Sequence, residues 1–245
     1  MHTYIKASLV AGMFTGFLLF FTSCEDNDRS FLNQDRIYTS YELYYNGNAD
    51  KTYARATFKL GNKYGTLLKL GDNSSIGITR GDSIYDPESL TFMNEYGYYE
   101  KEHSFYMFEC CFYFTDEEEN QYINSISVPS ATFPETIDTI VRDNTWQLSW
   151  DKDYSFQKIA LEENESISLT FKGIADGDVH TFYQFEESSE SIVLDSDETS
   201  ELEPGTYTLI LDRRYQPELT QKTSAGGTIT GRYRPANRTV VVVEE

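Results

Sequence analysis

The sequence predicts an all-β protein, built as two successive antiparallel β-sandwiches. Three observations predict it. Apolar and polar residues alternate with period two in run after run, the mark of strands with one wet face. Almost every run is four to ten residues long and ends in a Gly-, Asn-, Asp- or Pro-containing turn. No segment carries a helical repeat that survives its neighbours.

The first half opens with RIYTSYELYY, where Ile37, Tyr41, Leu43 and Tyr45 alternate, and NGNAD then turns. KTYARATFKL (51–60) is the cleanest strand: Ala54, Ala56, Phe58 and Leu60 face one way, and Lys51, Tyr53, Arg55, Thr57 and Lys59 the other. GNKYG turns, TLLKL and SSIGI are short strands, and TRGD breaks the chain before GDSIYDPESLTF. YYEKE and SFYMFECCFYFT read as a pair around Glu102-His103, DEEEN is a turn, and YINSISVP closes the half. SVPSATFPETIDT, with Pro129 and Pro134, reads as a boundary that allows limited swing. Beyond it come TIVRDN, TWQLSW, ESISLTFKG, VHTFYQFE, SIVLD, GTYTLILDRR, GTITGRYR and TVVVVE. In VHTFYQFE the alternation runs through Val179, Thr181, Tyr183 and Phe185. Each half is the size of an immunoglobulin-like module, which holds about 100 residues.

The amino terminus is different in kind. Lys6 supplies a positive charge, and Ala7 to Phe21 is an apolar run too short to span a bilayer, which takes about 20 residues. Phe21-Thr22-Ser23-Cys24 follows, and then Glu25, Asp26 and Asp28. This stretch resembles a bacterial lipobox, with Phe21 in place of the usual Leu. The resemblance implies cleavage before Cys24, acylation of Cys24, and anchoring by several acyl chains, since one chain alone holds weakly. The acidic tract of Glu25, Asp26 and Asp28 resembles the export signal of Bacteroidota surface lipoproteins. FYFTDEEENQYINSI and GGTITGRYRPANRTVVVV are similar to stretches of tandem β-sandwich lipoproteins of that group, which offer no catalytic residues to transfer. The organisation expected is a signal peptide (1–23), a lipidated tether (24–35), a first sandwich (36–130), a linker (131–138) and a second sandwich (139–245).

Charge excludes some partners. The chain has 20 Lys and Arg against 40 Asp and Glu, a formal net charge of −20 at pH 7, and loss of residues 1–23 makes it −21. Such a polyanion argues against nucleic acid and against anionic lipid. It suits a solvated cell-surface protein, and the resemblance of the acidic tract implies anchoring in the outer membrane, facing outward.

Catalytic signatures are missing. HExxH, GxSxG and the phosphate loop do not occur. His103 and His180 read as isolated exposed residues. A glycosidase would need two carboxylates roughly 5–10 Å apart in a cleft, which sequence spacing does not specify. Asp176-Gly177-Asp178 and Asp195-x-Asp197-Glu198 hold hard oxygen ligands without EF-hand spacing, and read as solvated loops. Cys110 and Cys111 are strand neighbours pointing to opposite faces, so they read as buried or half-buried free thiols, with Cys110 in the core and a strained vicinal disulfide as the alternative. No cofactor and no metal site is expected.

One charge pattern points to binding. Residues 185–203 carry eight acids and no base, whereas 213–238 carry six bases and one acid, Glu218. Matching charges on neighbouring strands would explain this as sheet support. The binding alternative is an arginine-rich surface gripping carboxylates or sulfates of a glycan or partner, built from Arg213, Arg214, Arg232, Tyr233 and Arg234, because arginine forks fit such planar groups. Asp82-Ser83-Ile84 and Asp138-Thr139-Ile140 resemble the O-glycosylation acceptor of Bacteroidota, which would place sugar on Ser83 and Thr139.

The reading is therefore a membrane-anchored, non-catalytic cell-surface lipoprotein that binds a glycan or a protein. A fimbrillin-like structural or adhesin subunit is the alternative, with TVVVVEE as the strand to be donated. A hydrolase ranks third.

Overall fold

The computed structural model describes residues 33–244, apart from 82–85, 153–158 and 176. Cys24, Glu25, Asp26, Asp28 and Ser83 lie outside the described residues. The remainder is nearly all β, in sheets packed face to face. Among the described residues no helix is long and apolar enough to cross a membrane.

After a 3-10 turn at Gln34–Arg36, β1 (Ile37–Asn46) pairs antiparallel with β2 (Lys51–Leu60) along their whole lengths. The TLLKL segment contributes only the short β3 (Leu67–Leu68), against β2. Next come β4 (Ser75–Arg80), β5 (Glu88–Ser89), β6 (Thr91–Met93), β7 (Tyr98–His103), β8 (Glu109–Thr115) and β9 (Gln121–Ser127). YYEKE and SFYMFECCFYFT do not form the expected pair. β7 joins β2 and β6, whereas β8 joins β4 and β9 in the facing four-stranded sheet. The apolar content of both segments is satisfied because the chain crosses from one sheet to the other. Ile37, Tyr41, Leu43, Ala54, Phe58, Phe112 and Phe114 fill the space between these sheets.

The second half holds β10 (Ile140–Val141), β11 (Trp146–Ser149), β12 (Glu165–Lys172), β13 (Val179–Gln184), β14 (Ser191–Leu194), β15 (Gly205–Tyr215), β16 (Gly227–Arg234) and β17 (Arg238–Val243). Trp146, Leu148, Trp150, Ile167, Leu169 and Phe171 form its core with Tyr207, Leu209 and Leu211. Ala131 and Phe133, from the expected linker, are buried in the same core. A five-residue helix, α1 (Ser196–Ser200), was not expected. Asp195 accepts from the Glu198 backbone and Glu198 accepts from the Asp195 backbone, so this acidic cluster is a capping box.

The sheets are not purely antiparallel, as the sequence reading had them. β16 pairs in parallel with β1, residues 227–234 against 39–46, and β10 pairs in parallel with β17. Ile229 and Tyr233 of β16, and Leu219 before it, are thus buried in the first core. β16 also pairs antiparallel with the end of β15, through Arg213↔Tyr233, Arg214↔Arg232 and Tyr215↔Gly231. Further along the same side of β15, β17 takes over from Leu209↔Arg238. Residues 210–212 therefore lie opposite 234–237, a one-residue bulge at Pro235-Ala236-Asn237. β16 and β17 are one interrupted strand that starts in the first half and ends in the second. Gly231 permits this path: a Cβ there would lie 2.1 Å from the Ser127 carbonyl oxygen of β9.

At the junction Arg213 is 1% exposed and its partner Glu165 5%. Its Nη2 donates to Glu165 Oε2 at 2.6 Å and to the Ala160 carbonyl at 3.0 Å. Nη1 donates to the Ser130 and Ile159 carbonyls at 3.0 and 3.3 Å. One guanidinium thus ties β15 to β12, to the chain leaving the first half and to the loop before β12. Removing one member of such a buried pair strands the other charge. Arg213→Ala is expected to lower unfolding free energy by about 3–5 kcal/mol, read as the shift of the urea midpoint.

Candidate binding surface

The five residues proposed for ligand binding split into three groups. Arg213 and Tyr233 are buried, so they are not part of a surface. Parity explains it: Arg213 shares the inward face of β15 with Tyr207, Leu209 and Leu211, and Tyr233 shares that of β16 with Ile229. Tyr233 packs against Tyr45 and Tyr106, with ring centroids 5.0 and 5.3 Å away. Arg232 and Arg234 do share the outward face, but both are taken by Asp212. Arg232 Nε donates to Oδ1 at 2.8 Å, and Arg234 Nη2 to Oδ2 at 2.5 Å. Arg232 also lies over the Tyr44 ring, 4.7 Å from its centroid. Arg214 alone of the five is exposed on this face without a carboxylate partner among the described residues.

Burial by itself would raise the Asp212 carboxyl, but hydrogen bonds from Arg234 and Arg232 outweigh it and hold the group below the usual carboxylate range. A depressed folded pKa means that the stabilisation is complete above the unfolded value, about 3.9, and is lost as pH falls through the folded value. Asp212→Asn is expected to cost about 2 kcal/mol near neutrality and to flatten the loss of stability below about pH 4, which denaturant titrations across pH would show.

The other candidates have structural roles. His103 is buried at the end of β7, not exposed as expected, and burial pushes its imidazole below the ordinary value. His180 is half-buried on β13, with Nε2 3.2 Å from Asp178 Oδ1. Asp178 also accepts from the Tyr207 hydroxyl at 3.5 Å. Cys110 and Cys111 are free and buried. Cys110 lies in the first core, and burial pushes its thiol well up. Cys111 Sγ lies 3.1 Å from Ser125 Oγ. Thr139 is exposed just before β10. Among the described residues no group of three or more His, Cys, Asp or Glu side chains converges as metal ligands would.

A feature not anticipated lies on β13. Val179, Thr181, Tyr183 and Phe185 do not face the core. β12 turns Ile167, Leu169 and Phe171 inward, and its register with β13 sets them against Gln184, Phe182 and His180. Phe182 consequently packs on the core and the alternate set faces solvent. Tyr183 is 62% and Phe185 66% exposed, with rings stacked at 5.8 Å and 11°. Gln184 Oε1 accepts from the Phe185 and Glu186 backbone N–H groups, at 2.9 and 2.8 Å, and fixes the chain there. On the same outward face, Tyr183 stands beside Ser168 and Ser168 beside Asp212, while Ser166 stands beside Arg214.

A scan of protein-family models finds no match to this chain, and a search of curated proteins finds none either. Among solved structures, a cytokine receptor complex matches at 9% identity over 83% of this chain and 95% of that one, with a TM-score of 0.31. The chicken CNTN1 FN1–FN3 domains match at 9% identity over 84% of this chain and 68% of theirs, with a TM-score of 0.27. A tetra-tandem repeat from the extending region of a large adhesion protein matches at 15% identity over 82% of this chain and 49% of its own, with a TM-score of 0.24.

Proposed function

We propose that this protein is a non-catalytic, lipid-anchored surface protein that binds a glycan or a protein partner on the outward face of β12, β13 and β15. Cys24 carries the anchor, residues 24–35 form the tether, and Glu25, Asp26 and Asp28 direct the protein to the outside of the outer membrane. The observation that carries the binding role is the exposed, stacked Tyr183–Phe185 pair. A solvated protein gains nothing by exposing two large rings together, and such patches mark interaction sites. Charge on this face supports the same reading. In a chain with twice as many acids as bases, the outward positions of β12, β13 and β15 carry one carboxylate, Asp212, and two arginines of β16 share it. A fimbrillin-like role is supported less well. β17, which contains most of TVVVVEE, is hydrogen-bonded to β15 on one side and β10 on the other, so donating it would break both ladders.

Protease shaving of intact cells should release peptides of residues 33–244 and leave an acylated Cys24 fragment with the membrane. Peptides that survive until the outer membrane is opened would refute the outward placement. The double substitution Tyr183→Ala with Phe185→Ala should change folding stability by about 0.5 kcal/mol or less, as exposed positions do, and should abolish chemical cross-linking to cell-surface partners. Undiminished cross-linking would refute the binding face.

A further inference from the structure

Resting on that reading of the outward face, we infer that Tyr183, Phe185 and Arg214 form a subsite for an acidic sugar: a pyranose bearing a carboxylate or a sulfate. Three observations converge. Tyr183 and Phe185, stacked on each other and both exposed, leave an aromatic face open to one face of a pyranose, whose C–H groups pack on such a ring. Ser166 and Ser168 lie on β12 between those rings and β15, half-buried and on the outward face, as donors and acceptors for ring hydroxyls. Arg214 stands across β12 from β13, about 10 Å away at the usual spacing of two strands. That span fits one to two sugar residues.

Arg214 selects the charge of the ligand. It is exposed, and no carboxylate among the described residues holds it. Arg232, its cross-strand neighbour, is engaged by Asp212 but adds to the local positive field. Asp212 is the one acid at the outward positions of β12, β13 and β15, and two guanidiniums share it. An anionic group can therefore dock on an Arg214 fork that no carboxylate among the described residues already engages, whereas a cationic or neutral ligand would leave the fork unused. Phe185 lies on the side of Tyr183 toward Ser166 and Arg214, because β12 runs antiparallel to both its neighbours and steps of two residues keep to one face.

The test is an array of neutral, uronate-containing and sulfated oligosaccharides, probed with the full-length protein in nanodiscs. Arg214→Ala, Arg214→Lys and the Tyr183→Ala/Phe185→Ala double variant are probed in parallel. Acidic glycans should bind, and Arg214→Ala should weaken them about tenfold or more, the usual worth of a charge-assisted hydrogen bond. Arg214→Lys should recover only part of this, because the ammonium lacks the planar fork. Carboxyl-reduced or desulfated versions of the bound glycans should bind the unmodified protein as weakly as their parents bind Arg214→Ala, and which treatment matters tells a carboxylate ligand from a sulfate. Unchanged binding by Arg214→Ala, or equal binding of the neutralised glycans, overturns the acidic-sugar subsite but leaves the binding face standing. If no glycan binds, the subsite falls, and cross-linking lost in the double variant would still uphold a protein partner for the face. If the double variant changes neither assay, both fall.

Discussion

A single guanidinium sets the architecture. Arg213 is buried where the two cores meet, and its charge is tolerable there only because Glu165 and three backbone carbonyls surround it. Those acceptors come from β12, from the segment leaving the first half, and from the loop ahead of β12. Satisfying the donors therefore fixes three parts of the chain at once. An apolar side chain could fill the same volume, but it would not demand that arrangement. The next residue, Asp212, points the other way and collects Arg232 and Arg234 on the outer face. Two adjacent residues of β15 thus hold its two neighbours from opposite sides of the sheet.

The outer face owes its continuity to that junction. Because β16 pairs with both β1 and β15, the outward residues of the two halves belong to one sheet. Tyr53, Tyr44, Arg232, Arg214 and Ser166 follow each other strand by strand. Toward the first half the arginines are consumed: Arg55 bonds Glu100 at 2.6 Å and lies 5.1 Å from the Tyr53 ring centroid. Toward the second half the outward positions of β12 and β13 carry no acid, and the aromatics become exposed. The change in character across one surface follows from strand order.

Much of this was legible in the sequence, and the limits have physical causes. The strands themselves follow from period-two alternation in segments such as KTYARATFKL, and Cys110 and Cys111 were placed on opposite faces by the same rule. Pairing across the halves was not legible. GTITGRYR contains nothing that names β1, about 190 residues earlier, as a parallel neighbour, because ladder hydrogen bonds come from backbone common to every residue. Which face of β13 looks outward was not legible for another reason. Val179, Tyr183 and Phe185 look like a core set, and only the inward commitment of Ile167, Leu169 and Phe171 on β12 forces them outward. Arg213 could have been found, since parity with Tyr207, Leu209 and Leu211 places it inside.

The entry of the chain into the fold has a mechanical consequence. From Asn33 the chain passes through one short turn into β1, which is hydrogen-bonded along its length to β2 on one side and over eight residues to β16 on the other. A pull on the amino terminus along the strand axis, opposed by a load held at the outer face, meets these bonds side by side. They share the force in shear, and none can be peeled away before its neighbours. Load along the β1 axis is thus shared among many ladder hydrogen bonds at once, on both edges of the strand.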